Sequence, residues 1–144
     1  MRQHAWLNAV PERPKGAKAD APRLTRLEQM REGNASFEPE MPPASAEYLI
    51  AYLFEVGPSV TSGGYSSAVS SQELVAWSGL VGIDLQPWET RFLLGLSRQH
   101  VSQTYRSERA GCPEPLLEEL GRGGVQAALV AKDLKRLVEE MSRL

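Results

Sequence analysis

The distribution of apolar positions predicts a chain built mainly from helices. The segment Ser45–Val56 carries apolar side chains around almost its whole circumference, with Glu47, Ala51 and Glu55 as a narrow polar stripe. A helix of this kind must be covered on most sides. The pattern therefore predicts a central core helix capped by Ser45, and a helix that a partner protein completes is the alternative.

Two further helices follow from their start signals. Ser70 and Glu73 have the spacing of a capping box, which predicts a helix from Ser71 to about Leu80. Pro87 suits the first position of a helix, and the longest predicted element runs from there to about Arg109. Between the Ser45–Val56 helix and the helix that starts at Ser71, the Gly- and Ser-rich stretch 57–69 is interpreted as a flexible loop. No alternating strand pattern is evident.

The first 43 residues contain six of the ten prolines and few large apolar side chains. Such a segment cannot form a core alone, so we expect a disordered, proline-rich arm, either a solvated tail or a segment that binds a partner. Within Pro22–Glu32, Leu24, Leu27 and Met30 recur at helical spacing, which indicates one short helix.

The last residues carry an amphipathic pattern. Its apolar positions fall on one helical face: Val130, Leu134, Leu137, Val138 and Met141. This C-terminal helix docks on the domain, pairs with another copy or projects. The predicted organisation is thus an arm over 1–43, a helical core domain over 44–112, and a linker with the C-terminal helix over 113–144.

Composition and charge narrow the classes of function. Sixteen basic and eighteen acidic residues give a net charge of −2, so a polyanionic nucleic acid or membrane is not an expected partner. Cys112 is the only cysteine, which excludes an intramolecular disulfide and fits a reducing cytoplasm. There is no apolar run of transmembrane length.

Candidate catalytic and metal-binding residues are few. Besides Cys112 the chain has two histidines, His4 and His100, and it lacks HxxxH, CxxC and calcium-loop spacings. We therefore expect no enzyme activity, metal or cofactor. A helix-turn-helix DNA-binding regulator is an alternative, although its second helix would begin with Trp88 and Glu89, apolar and acidic where phosphate contacts belong.

The aromatic side chains of the predicted helices are the candidate protein-binding residues or core anchors. They are Tyr48, Tyr52, Phe54, Trp77, Trp88 and Phe92. On the helix from Pro87, Trp88 and Phe92 are expected to face inward. Core packing is the favoured interpretation for Trp77 and Trp88, and direct contact with a partner is the alternative.

One stretch of the chain resembles small tail-gene products of tailed bacteriophages and prophages. It is Leu74–Glu89, LVAWSGLVGIDLQPWE, together with the FLLGLS that follows. The matching residues are Trp77, Leu80, Gly82, Leu85, Pro87, Trp88, Glu89 and Leu93. The upstream WLNAVPERPKGAKADAPRLTRLEQ and PPASAEYLIAYLFEVGP are similar to the proline-rich lead and first helix of those proteins. The resemblance spans roughly Trp6 to Pro113 and is most specific at Pro87-Trp88-Glu89.

This resemblance implies a tail assembly chaperone, which coats the tape-measure protein and keeps it soluble until tail-tube subunits polymerise. It implies no reaction. The expected partners are the tape-measure protein and the tail-tube protein, with self-association as a further interaction. The expected location is the cytoplasm of the bacterial host rather than the mature virion. A minor structural tail protein is the alternative within this class.

Overall fold

The computed structural model describes residues 1–13, 15–18, 20–42 and 44–121. The prediction of a mainly helical fold is confirmed. The elements are α1 (Arg2–Asn8), α2 (Arg26–Gly33), α3 (Glu47–Val56), β1 (Val60–Ser62), β2 (Tyr65–Ser67), α4 (Ser71–Val81) and α5 (Pro87–Ser107). Residues 115–121 are also helical. Residues 1–112 form one compact unit, and 113–121 belong to a second. The predicted C-terminal amphipathic helix lies outside the described residues.

Helices α4 and α5 begin at the signals in the sequence. The side chain of Ser70 accepts a hydrogen bond from the Glu73 amide, 3.2 Å, and the Glu73 carboxylate accepts one from the Ser70 amide, 2.7 Å. The bond from the Ser70 amide to the carboxylate is the main reason why the pKa of Glu73 is lowered. Helix α5 starts with Pro87, and the Glu89 carboxylate accepts from the Gln86 amide at 2.8 Å.

The core lies between α3, α4 and α5. Leu49 and Leu53 of α3 are fully buried and pack with Val69, Leu74 and Leu93. The predicted cap was wrong, because α3 begins at Glu47 after Ala46, with no side-chain cap. The prediction of a helix covered on most sides also fails in part, since Tyr48 and Phe54 are exposed.

Strands β1 and β2 form an antiparallel hairpin with Val60 opposite Ser67. Gly63 and Gly64 make its turn with φ of 58° and 83°, the left-handed backbone that a two-residue hairpin turn requires. The expectation of a flexible loop was therefore wrong here. The hairpin is also anchored, because the Tyr105 hydroxyl accepts from the Ser66 amide and donates to the Ser66 carbonyl, both at 2.9 Å.

The N-terminal segment differs most from the expected disordered arm. Arg2–Asn8 forms α1, whose Gln3, Ala5, Trp6 and Leu7 are buried, and the helix packs against α5. The Trp6 indole N–H donates to the Cys112 carbonyl at 3.0 Å. Burial of a tryptophan with a satisfied N–H explains why so short a helix is held.

The short helix expected within Pro22–Glu32 is present as α2. It starts later, at Arg26, because Thr25 and Glu28 form a capping box. The Arg26 side chain is buried, and its guanidinium lies over the Trp6 ring, 5.0 Å from the ring centroid. No helix within the described ranges has both the length and the hydropathy needed to cross a bilayer.

Candidate protein-binding surface

A hydrogen bond joins the first turns of α3 and α5. The Tyr48 hydroxyl donates to a Glu89 carboxylate oxygen at 2.7 Å, while the other oxygen of Glu89 accepts from the Gln86 amide. The capping role of Glu89 therefore fixes the carboxylate that orients Tyr48. This hydrogen bond to Glu89 is the main reason why the pKa of Tyr48 is raised, because the carboxylate stabilises the protonated phenol.

Trp88 and Phe92 lie one turn apart on α5 and are both exposed, at 53% and 45%. Four-residue spacing places two side chains on the same side of a helix. The opposite side of α5 faces the core through Leu93, Ser97 and His100. The sequence-based placement of Trp88 and Phe92 in the core was thus wrong. Two neighbouring exposed aromatic rings form an apolar patch of the kind that binds other proteins.

Tyr48, Tyr52 and Trp77 form a row of rings across α3 and α4. Tyr48 and Tyr52 meet edge to face with centroids 5.6 Å apart, and Tyr52 lies 5.4 Å from Trp77. Tyr48 is 44% exposed, whereas Tyr52 and Trp77 are half-buried. Tyr52 packs on the core, so this row connects the core to the surface beside Glu89.

Trp77 also borders an open cleft of about 280 Å³ between α3, the hairpin and α4. Its apolar walls include Val56, Val60 and Leu80. Leu80 is 87% exposed, which makes it a prominent apolar side chain of the described surface. The helical periodicity of the sequence did not identify it, because Leu80 lies outside the face marked by Leu74 and Trp77.

Phe54 belongs to a different part of the surface. Its ring contacts His4 of α1 edge to face, with centroids 4.7 Å apart. His4 in turn lies 5.6 Å from His100 of α5. Of the six aromatic candidates, the structure therefore brings Tyr48, Tyr52 and Trp77 into one row, joins that row to the first turn of α5, and leaves Phe54 apart.

The two histidines form a partly buried pair that the sequence did not reveal, since 96 positions separate them. The Nδ1 atoms of both are buried without a hydrogen-bond partner in the part of the chain that the structure describes. The pKa of His100 is lowered to about 4, mainly by burial and further by the neighbouring His4 and the N-terminal amino group. Burial likewise lowers the pKa of His4, so both rings are neutral at pH 7.

The remaining chemically reactive side chains are dispersed. The Cys112 sulfur hydrogen-bonds to Gln103 at 3.7 Å and approaches the Ser107 hydroxyl at 4.0 Å. Among the described residues, no three His, Cys, Asp or Glu side chains are grouped so as to hold a metal ion. The feature best suited to recognition in the described chain is therefore its exposed aromatic surface.

Comparison with known proteins adds no relative. No protein-family model, curated protein or solved structure matches the chain. A relation to phage tail proteins therefore stays a prediction from the residues quoted above, chiefly Pro87, Trp88 and Glu89.

Proposed function

We propose that this protein is a phage tail assembly chaperone that binds the tape-measure protein and keeps it soluble during tail assembly. The observation that carries the proposal is the exposed pair Trp88 and Phe92 on α5, which lies within the segment that resembles tail-gene products. A tape-measure protein is a long helical chain whose apolar faces need temporary cover. An apolar helix face can be covered by laying it against exposed aromatic side chains.

The rest of the surface fits this role. Tyr48 is a further exposed aromatic residue, and its hydroxyl is hydrogen-bonded to Glu89 in the first turn of α5. The proposal involves no reaction, cofactor or metal, and it places the protein in the bacterial cytoplasm rather than in the finished virion.

Co-expression with a tape-measure protein tests the proposal. Wild type is expected to raise the soluble yield of the tape-measure protein and to copurify with it, and the double variant Trp88→Ala, Phe92→Ala is expected to do neither. Tyr65→Ala is the matched control, because Tyr65 is a large exposed aromatic residue at 75% exposure on the hairpin. Circular dichroism verifies that each variant is folded.

A folded wild type that neither copurifies with the tape-measure protein nor changes its solubility would refute the chaperone role. Retention of the protein in purified virions, in stoichiometric amounts, would instead indicate a minor structural tail protein. Tight duplex binding with a steep salt dependence would indicate the DNA-binding regulator.

A further inference from the structure

The charged side chains on the outward side of α5 all have the same sign. Arg91, Arg98 and Arg106 are exposed on it, together with Trp88 and Phe92. None of these arginines forms an ion pair with a described residue. Helix α5 contains one acidic residue, Glu89, and its carboxylate is engaged with Gln86 and Tyr48. This outward stripe is therefore aromatic at one end and carries only basic charges beyond it, although the whole chain has a net charge of −2.

Gly95 lies in the middle of this stripe, between Phe92 and Arg98. A Cβ atom built on Gly95 would meet no heavy atom within 4 Å, so the space above it is open. Glycine in a helix interior costs about 1 kcal/mol relative to alanine, and here nothing within the described fold requires its small size. A glycine between flanking large side chains allows another helix to approach the backbone closely.

We infer that the outward side of α5 binds an amphipathic helix whose polar side is acidic, with Trp88 and Phe92 contacting its apolar side and the three arginines contacting its carboxylates. The 21 residues of α5 span about 30 Å, enough to accommodate several turns of a partner. This inference rests on the proposed function, because it names the chemistry of the tape-measure segment that is bound.

Three other occupants fit this side of α5 less well. A second copy of α5 would add three more arginines and no unengaged carboxylate, because Glu89 is already bonded to Gln86 and Tyr48; this accumulation of like charge disfavours association. The C-terminal residues 122–144 contain five basic and three acidic side chains, so they do not supply the complementary charge either. Duplex DNA would match the arginines but would leave Trp88 and Phe92 at the start of the helix without apolar contacts.

The test uses two labelled 21-residue peptides that share Leu positions on one helical face. The acidic peptide carries Glu at every polar position and the basic peptide carries Lys there. Fluorescence anisotropy with the full chain is expected to show binding of the acidic peptide at least about tenfold tighter than that of the basic peptide, with the difference shrinking at high salt.

Two variants locate the binding. Arg91→Glu combined with Arg98→Glu is expected to weaken binding of the acidic peptide by about tenfold or more and to favour the basic one. Gly95→Glu is expected to weaken it similarly by filling the open space with a like charge. Gly79→Glu is the matched control, because Gly79 is also a helical glycine with nothing within 4 Å of an added Cβ, and it should leave binding unchanged.

Equal affinity for the two peptides, or binding that survives both variants, would overturn the inference. So would a sedimentation experiment in which Gly95→Glu dissociates a dimer, or displacement of the peptide by duplex DNA. Co-expression separates this inference from the proposed function. If the α5 variants still solubilise the tape-measure protein, the inference fails and the chaperone role stands; if wild type itself fails to solubilise it, the proposed function fails.

Discussion

The guanidinium of Arg26 donates a hydrogen bond to the carbonyl oxygen of Ser107, the last residue of α5, at 2.6 Å. Its other terminal nitrogen donates to the Arg109 carbonyl at 2.9 Å. A helix ends with unpaired carbonyl groups and a partial negative charge, and a buried arginine satisfies both needs here. Arg26 also covers the Trp6 ring, so one side chain connects α1, α2 and the end of α5.

Replacement of Arg26 is expected to destabilise the fold strongly. Arg26→Met keeps much of the side-chain volume but leaves the Ser107 and Arg109 carbonyls without their charged donor, at a cost of about 2–4 kcal/mol. Urea unfolding followed by circular dichroism measures the change in the free energy of unfolding. Arg23→Met, an exposed neighbour, should change it by less than about 0.5 kcal/mol. Equal effects of the two substitutions would show that Arg26 does not hold α5.

Ser97 offers a second test of packing. Its hydroxyl accepts from the Val69 amide at 2.8 Å and donates to the Pro58 carbonyl at 2.9 Å, thereby joining the two ends of the hairpin segment to α5. Ser97→Ala is expected to cost about 1–3 kcal/mol, because buried backbone groups lose their partners. Hydrogen exchange at the Val69 amide should accelerate. Ser102→Ala, at an exposed position of the same helix, should leave both measurements unchanged.

These contacts explain which elements the sequence could predict. Helices α4 and α5 begin at local signals, the Ser70 capping box and Pro87, and these operate within one turn of chain. Helix α1 has no such signal, and its burial depends on α5 and Cys112, about 100 positions away. The Gly63-Gly64 turn was a local signal for a hairpin that composition obscured, because a stretch rich in glycine and serine is also typical of loops.

The orientation of α5 could not be predicted from hydrophobic periodicity. Four of its five buried residues are polar, namely Ser97, His100, Gln103 and Ser107, and Ser97 and His100 meet partners from distant segments. Periodicity assigns apolar residues inward and therefore placed Trp88 and Phe92 in the core. Because polar residues occupy the buried side of α5, Trp88 and Phe92 are left on its exposed side.

The histidine pair predicts a dependence of stability on pH. His100 has a pKa of about 4 in the folded chain and an ordinary value near 6.5 when unfolded. Between pH 4 and pH 6.5 the unfolded chain therefore binds more protons than the folded chain. The free energy of unfolding has its full value above about pH 6.5 and falls as the pH decreases toward 4. Because His4 is partly in contact with solvent, we expect a loss of about 1–2 kcal/mol, measured by urea unfolding at several pH values.

His100→Leu separates this effect from other titrations. The Nδ1 atom of His100 has no hydrogen-bond partner among the described residues, so the apolar replacement should change stability at pH 7 by less than about 1 kcal/mol. It should remove most of the decline between pH 6.5 and 4.5. A decline of the same size in the variant would mean that His100 is not the titrating group.

Trp88 provides the sharpest contrast between a core anchor and a surface contact. A buried tryptophan replaced by alanine typically costs about 3–5 kcal/mol, whereas the indole of Trp88 is 53% exposed. Trp88→Ala should therefore cost less than about 1.5 kcal/mol, since only part of its apolar area leaves water on folding.

Leu93→Ala provides the internal reference. Leu93 lies on the same helix but is fully buried, and its truncation should cost about 2–5 kcal/mol because it leaves a cavity in the core. Thermal and urea unfolding of both variants give the comparison. If Trp88→Ala lowers the free energy of unfolding as much as Leu93→Ala does, Trp88 stabilises the fold. Failure of Trp88→Ala to capture the tape-measure protein would then be a consequence of unfolding. A small loss combined with failed capture would instead identify Trp88 as a binding residue.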